Sequence, residues 1–280
     1  MKIVYLVAIF LSISLLSFSQ QLDSTVASPQ PEMTKRKVYK MKYGLDIPIA
    51  VAGTAWTLYS FTNIYGGDKT DAAVIMALNP DDLNSIDRST ADNYSPKAKA
   101  ASDKFFYGSM PAPLFLLFDK KIRKDAGKVG LLYLEAMAIT GTVYTSASLV
   151  ARRFRPYTYN PEVEMGVRRG GGGRNSFPAG HPAVVATSTF FMAKVYSDYH
   201  PEMKNKWILY TVAGGATLAT GLLRIKAGQH FPTDVMTGIP IGVLTGLLVP
   251  HFHKNRENSK LAILPYSMGE ANGLTAVIKL

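Results

Sequence analysis

Residues 224–234 read Arg-Ile-Lys-Ala-Gly-Gln-His-Phe-Pro-Thr-Asp, so Arg224, His230 and Asp234 stand with five and then three residues between them. The run joins two apolar segments, residues 207–223 before it and 233–250 after it. Pro232 suits the first turn of a helix because its missing N–H is not needed there. Asp234 falls in the same turn, and His230 sits just ahead of it on the bend. One helix therefore ends near Arg224 and the next begins near Pro232.

Upstream, two further clusters border apolar segments. Arg152-Arg153-Phe154-Arg155-Pro156 follows segment 129–150, and Phe177-Pro178-Ala179-Gly180-His181 opens segment 181–198. With 45–61 and 105–118 there are six apolar segments, and none alternates with the period of a strand. Small residues such as Gly214, Gly215, Ala216 and Ala219 favour close helix packing. The expected fold is all-α, a bundle of about six apolar helices. In an up-and-down bundle the third helix ends, the fourth starts, the fifth ends and the sixth starts at one end. Arg152, Arg155, Arg224, His181, His230 and Asp234 then converge.

That mixture suits a phosphoryl group. The guanidinium presents a planar fork of donors to phosphate. Gly180, at a helix N-terminus and without a Cβ, lets its N–H approach an anion. A neutral imidazole can attack phosphorus when a carboxylate holds its other nitrogen. Asp234 is placed to hold His230 in this way, and His181 to protonate a leaving alkoxide. The arginines supply charge stabilisation, so no metal or cofactor is expected.

The three clusters, in this order, resemble the motifs of the type 2 phosphatidic acid phosphatase and vanadium haloperoxidase superfamily. Those motifs are Lys-x6-Arg-Pro, Pro-Ser-Gly-His and Arg-x5-His-x3-Asp, and the resemblance covers residues 105–250. It implies a phosphatase of the histidine kind acting on phosphate monoesters or diphosphates, with a phosphorylated lipid as substrate. By resemblance His230 is the nucleophile, His181 the general acid and Asp234 the residue that orients His230. Arg155 and Arg224 hold phosphate, and Gly180 donates its N–H. The sequence departs from the pattern at Ser148 (for lysine), Ala179 (for serine) and Leu223 (for serine). Arg152, one helical turn beyond Ser148, is the expected substitute for the lysine. Two other functions fit the same motifs: a haloperoxidase binding vanadate at His230, and a non-catalytic phospholipid-binding membrane protein.

The remaining chain sets the context. Residues 1–19 read as a signal peptide, with Lys2 ahead of an apolar run and Ser17 and Ser19 at small-x-small spacing. Residues 20–44 read as a basic linker or surface helix, 45–258 as the helical domain, and 259–280 as a tail with a short β-hairpin turning at Asn272-Gly273. The absence of cysteine removes disulfides, thiolate metal sites and cysteine nucleophiles. Hydrophobic residues are 47%, charged residues 18%, and the net charge is +11. The basic residues lie in loops between apolar segments, which favours anionic lipid or a phosphorylated substrate over nucleic acid. Lys120, Lys121, Arg123, Lys124 and Lys128, with Lys204, Lys206, Lys254 and Arg256, fall at the end away from the motifs. The positive-inside rule then places the site on the periplasmic face of a bacterial membrane, on a bundle inserted in it or docked on it. His200, His251 and His253 read as surface residues at helix ends.

Overall fold

The structure, a computed structural model, describes residues 37–255, 261–268 and 271–278. The chain divides into a unit of residues 1–36 and one of residues 37–280. The signal peptide read at 1–19 and most of the basic segment that follows lie outside the described residues. Residues 37–42 are non-helical, not part of a surface helix. Lys40 N–H donates to the His253 carbonyl and Asn255 N–H to the Val38 carbonyl, both at 2.8 Å. Tyr39 is buried there, its hydroxyl 3.0 Å from Asp198 Oδ2.

Among the described residues there are six long helices: α1 (Tyr43–Tyr65), α2 (Pro96–Ser109), α3 (Ala126–Ala151), α4 (Gly180–Tyr199), α5 (Lys206–Lys226) and α6 (Pro232–His253). The all-α bundle is as expected, and five of the six apolar segments sit inside α1 and α3–α6. The second segment does not form a helix of its own. Ser95 accepts the Ala98 N–H and Pro96 occupies the first turn, so α2 starts within the polar stretch. It ends at Ser109, and Ala112–Phe118 winds as a 3₁₀ stretch. Pro111 and Pro113 account for the break, because neither can donate a backbone hydrogen bond. The tail forms β1 (Leu261–Met268) and β2 (Ala271–Ile278), antiparallel, with Leu261 opposite Ile278. Asn272 and Gly273 lie within β2 opposite Ser267 and Tyr266, so the residues expected to turn are strand residues.

The core of the bundle gathers Leu116, Ile122, Leu132, Phe191, Val195 and Val249. Its tightest contact joins α4 to α6. Gly238, Gly242 and Gly246 recur every four residues along one stripe of α6, and each faces the backbone of α4, at Ala179, Ala183 and Thr187 respectively. A Cβ at any of the three would run into a carbonyl oxygen of α4. Glycine there allows the two backbones to touch.

Outside this contact the helices leave much apolar surface uncovered. Val212, Leu218 and Leu222 of α5 and Met236, Leu244 and Phe252 of α6 are exposed, and Trp207 is exposed at the start of α5. Among the described residues α5 and α6 are long and apolar enough to cross a membrane, by length and composition.

Gly242→Ala should therefore destabilise the protein by about 1–3 kcal/mol, the usual range for overpacking a close contact. Gly215→Ala, at a site with nothing within 4 Å of the added carbon, should leave stability unchanged or slightly raised. Thermal unfolding of the two variants in one detergent checks the pair.

Candidate active site

The end of α3, the start of α4, the end of α5 and the start of α6 meet at one end of the bundle, as the motif spacing requires. Arg155 follows α3 and is buried, with its Nε donating to Asn175 Oδ1 at 2.8 Å. Arg224 is in the last turn of α5 and is also buried. Both guanidinium groups share the side-chain oxygen of Gln229: Arg155 through Nη1, and Arg224 through Nη2 at 3.4 Å. Gln229 lies in the short turn between α5 and α6, where Gly228 takes a φ of +68° that other residues rarely adopt.

Helix α2 closes the other side. Asp103 Oδ1 lies 3.1 Å from Arg224 Nη1 and 3.2 Å from His181 Nε2. The Phe106 ring stacks on the His181 imidazole with centroids 4.2 Å apart. A carboxylate thus lies between a histidine and an arginine that both favour an anion. Gly180 is the first residue of α4, so its N–H is not used by that helix's own ladder. A side chain at this position would collide with the Tyr144 ring.

His230 is almost completely buried, and its Nδ1 lies 2.6 Å from the Ser176 carbonyl oxygen. A carbonyl can only accept, so Nδ1 carries the proton and Nε2 keeps its lone pair. Here the geometry corrects the expected pairing, because the partner of His230 is Ser176 and not Asp234. Asp234 works one step back. Its Oδ2 accepts from Ser176 Oγ at 2.5 Å and from the Phe231 N–H at 2.8 Å, and its Oδ1 accepts from Arg153 Nη1 at 2.5 Å. It holds the residue that holds His230. The carboxylate binds the Phe231 N–H at its own helix start, the Ser176 hydroxyl and the Arg153 guanidinium, while the imidazole binds the Ser176 carbonyl.

Arg153 joins two regions. Besides Asp234 and the Thr233 hydroxyl, it donates through Nη2 to Asp87 Oδ2 at 2.7 Å. Asp87 is fully buried and also accepts from the Thr233 N–H at 3.0 Å. The polar stretch before α2 is thereby fixed to the start of α6. Arg152 ends α3 in a left-handed turn with φ of 42°, and its N–H donates to the Ser148 carbonyl at 3.1 Å. Its exposed side chain and Ser148 line a cavity of about 370 Å³, together with Lys69, Arg174 and Asn175.

Among the described residues, seven buried side-chain polar atoms have no hydrogen-bond partner, and four of them belong to this region: His230 Nε2, Arg224 Nε, Asn175 Nδ2 and Ser148 Oγ. Two are donors, one is a lone pair, and the serine can serve as either. Orphaned buried groups cost about 1–3 kcal/mol each unless something satisfies them. The arrangement suits an anion with several oxygens and an electrophilic centre.

Electrostatics follow from burial. Desolvation first, and the charges of Arg155 and Arg224 second, hold His230 well below the ordinary imidazole range. It is neutral near pH 7, as a nucleophile must be. Burial also pushes His181 down to about 4, opposed by its hydrogen bond to Asp103. That same bond from His181 is the main cause that holds Asp103 at about 2.

Residues 129–258 match the family model of the PAP2 superfamily. Phosphatidylglycerophosphatase B of Bacillus subtilis (strain 168) is 35% identical over 78 residues, which are 28% of this chain and 38% of that protein. The matched stretch thus spans well under half the length of that curated relative. The crystal structure of the first transmembrane PAP2 type phosphatidylglycerolphosphate phosphatase from Bacillus subtilis is 21% identical, covering 73% of this chain and 96% of that one with a TM-score of 0.46.

Arg153→Ala should destabilise the protein by about 3–5 kcal/mol, because it leaves Asp87 and Asp234 buried without their cation; equilibrium denaturation in detergent measures this. A second test concerns pH. His181 binds a proton less readily when folded, at about 4, than at the ordinary 6.5 of an exposed imidazole. Its contribution to stability is present above pH 6.5 and is lost as the pH falls toward 4, by up to about 1.4 kcal/mol per pH unit. Wild type should therefore lose thermal stability relative to His181→Gln between pH 7 and pH 4.5. A constant gap between the two across that range would contradict the assignment.

Proposed function

We propose, from the match of residues 129–258 to the PAP2 superfamily model, that the protein is a membrane phosphatase acting on lipid phosphate esters through a phosphohistidine on His230. The observation that carries this reading is the state of His230. It is buried and neutral, its proton is fixed on Nδ1 by the Ser176 carbonyl, and its Nε2 has no partner in the field of Arg155 and Arg224.

In the proposed reaction the phosphate oxygens are held by Arg155, Arg224, Asn175 and the N–H of Gly180. Asp103 gives up its contact with Arg224 as the phosphate enters. The dianion offsets the two guanidinium charges and restores the basicity of His181, which becomes imidazolium. His230 Nε2 attacks phosphorus, the ester P–O bond breaks, and His181 passes its proton to the leaving alkoxide. Neutral His181 then takes a proton from water. The hydroxide formed attacks phosphorus, the P–N bond breaks, and inorganic phosphate leaves. Asp234 and Arg153 act in this scheme as positioning residues, through Ser176 and the start of α6.

The lipid substrate is supported by the uncovered apolar faces of α5 and α6 and by Trp207, which suits a membrane interface. The similarity to a phosphatidylglycerophosphatase makes phosphatidylglycerol phosphate the first substrate to assay. The short basic helix Lys120–Arg123, at the end away from the site, supports a periplasm-facing site.

His230→Ala should abolish phosphate release and the acid-labile ³²P-labelled enzyme trapped by rapid quench, while circular dichroism stays unchanged. His181→Ala should slow alkyl phosphates by about 10²-fold or more and aryl phosphates much less, because a good leaving group needs no proton. Near-wild-type turnover by His230→Ala would overturn the mechanism. An impermeant substrate given to spheroplasts should release phosphate without lysis. Release only after lysis would reverse the assigned face.

A further inference from the structure

We propose that Asp46, Glu135 and His253 form a divalent-cation site at the end of the bundle opposite the motif cluster. The inference is independent of the phosphatase reading. The sequence pointed away from it, since His253 reads as a surface residue at a helix end. In the structure its side chain is mostly buried and faces two carboxylates that lie 207 and 118 residues away along the chain. The backbone pairing of residues 38–40 with 253–255 brings them together, because it fixes the start of α1 against the end of α6.

The ligand atoms are prepared. His253 Nδ1 lies 2.8 Å from the Val249 carbonyl, so it donates there and leaves Nε2 to face the carboxylates. A backbone carbonyl fixing one ring nitrogen is the usual support for a metal-binding histidine. Nε2 is 3.1 Å from Asp46 Oδ1 and 3.7 Å from Glu135 Oε2. Asp46 is buried and its Oδ2 is taken by the Lys42 backbone N–H at 2.6 Å, which leaves Oδ1 turned to the cluster. Glu135 is 5% exposed, and its Oε2 has no hydrogen-bond partner. One ligand atom from each residue lies within 4.8 Å of the others. Contraction by several tenths of an ångström would bring all three within the roughly 2.0–2.2 Å that zinc takes with nitrogen and oxygen.

Charge also favours a cation. Two buried carboxylates face a single imidazole, so even a protonated His253 leaves one carboxylate charge unbalanced, which burial penalises. A divalent ion neutralises it. The adjoining cavity of about 340 Å³, lined in part by Lys42, Ile139, Leu244 and Leu248, leaves room for water to complete the coordination shell. One imidazole with two carboxylates suits Zn²⁺ or Mn²⁺ and not a soft monovalent ion. An ion here would tie α1, α3 and α6 to one another.

The test uses the full chain in detergent, purified without a polyhistidine tag, stripped with chelator and titrated with Zn²⁺ and Mn²⁺. One equivalent should bind saturably and raise the thermal midpoint. Glu135→Gln and His253→Gln should each weaken binding about tenfold or more, whereas surface Asp81→Asn should not. Because either site variant can lose its fold, X-ray absorption of Zn²⁺-loaded wild type gives a second reading, with one imidazole and the remaining donors oxygen. No saturable binding, unchanged affinity in both site variants, or a shell with two or more imidazoles would each overturn the proposal.

Discussion

Asp234 is the group on which the motif end depends. It is fully buried, and it receives the Phe231 N–H at the start of α6, the Ser176 hydroxyl of the preceding loop and the Arg153 guanidinium. Each donor brings its own segment with it. Ser176 supplies the carbonyl that holds His230, and Arg153 reaches on to Asp87 and so to the stretch before α2. A buried carboxylate is tolerable only when its oxygens are satisfied, so the loop between α3 and α4 cannot move from α6 without exposing that charge. The position of the His230 imidazole is thus a by-product of solvating one acid with protein.

Much of the fold was legible because helices are local. Apolar runs bounded by proline, glycine and charge gave five of the six long helices, and counting helix ends was enough to bring Arg155, His181, Arg224 and His230 together. Local signals failed where distant chain segments decide. Nothing around Asp103 marks it for the site, since its partners are 78 and 121 residues away. Ser176 acts through a backbone carbonyl, which no side-chain pattern reveals. Gln229 could have been noticed, because it directly precedes His230 in the short turn that follows Arg224.

One misreading comes from the treatment of helix ends. His253 seemed solvated because it closes a helix, but the returning chain at residues 37–42 covers that end. Helical spacing predicts faces only within a helix, and a terminus belongs to whatever packs on it.

The glycine stripe of α6 has a consequence for how such a site can diversify. Gly238, Gly242 and Gly246 set α4 and α6 at backbone contact, and His181 and His230 stand at the heads of those two helices. On the proposed function the stripe acts as a gauge block that sets the jaw width between the two imidazoles, so selectivity among substrates rests on the side chains around the jaw and not on its width.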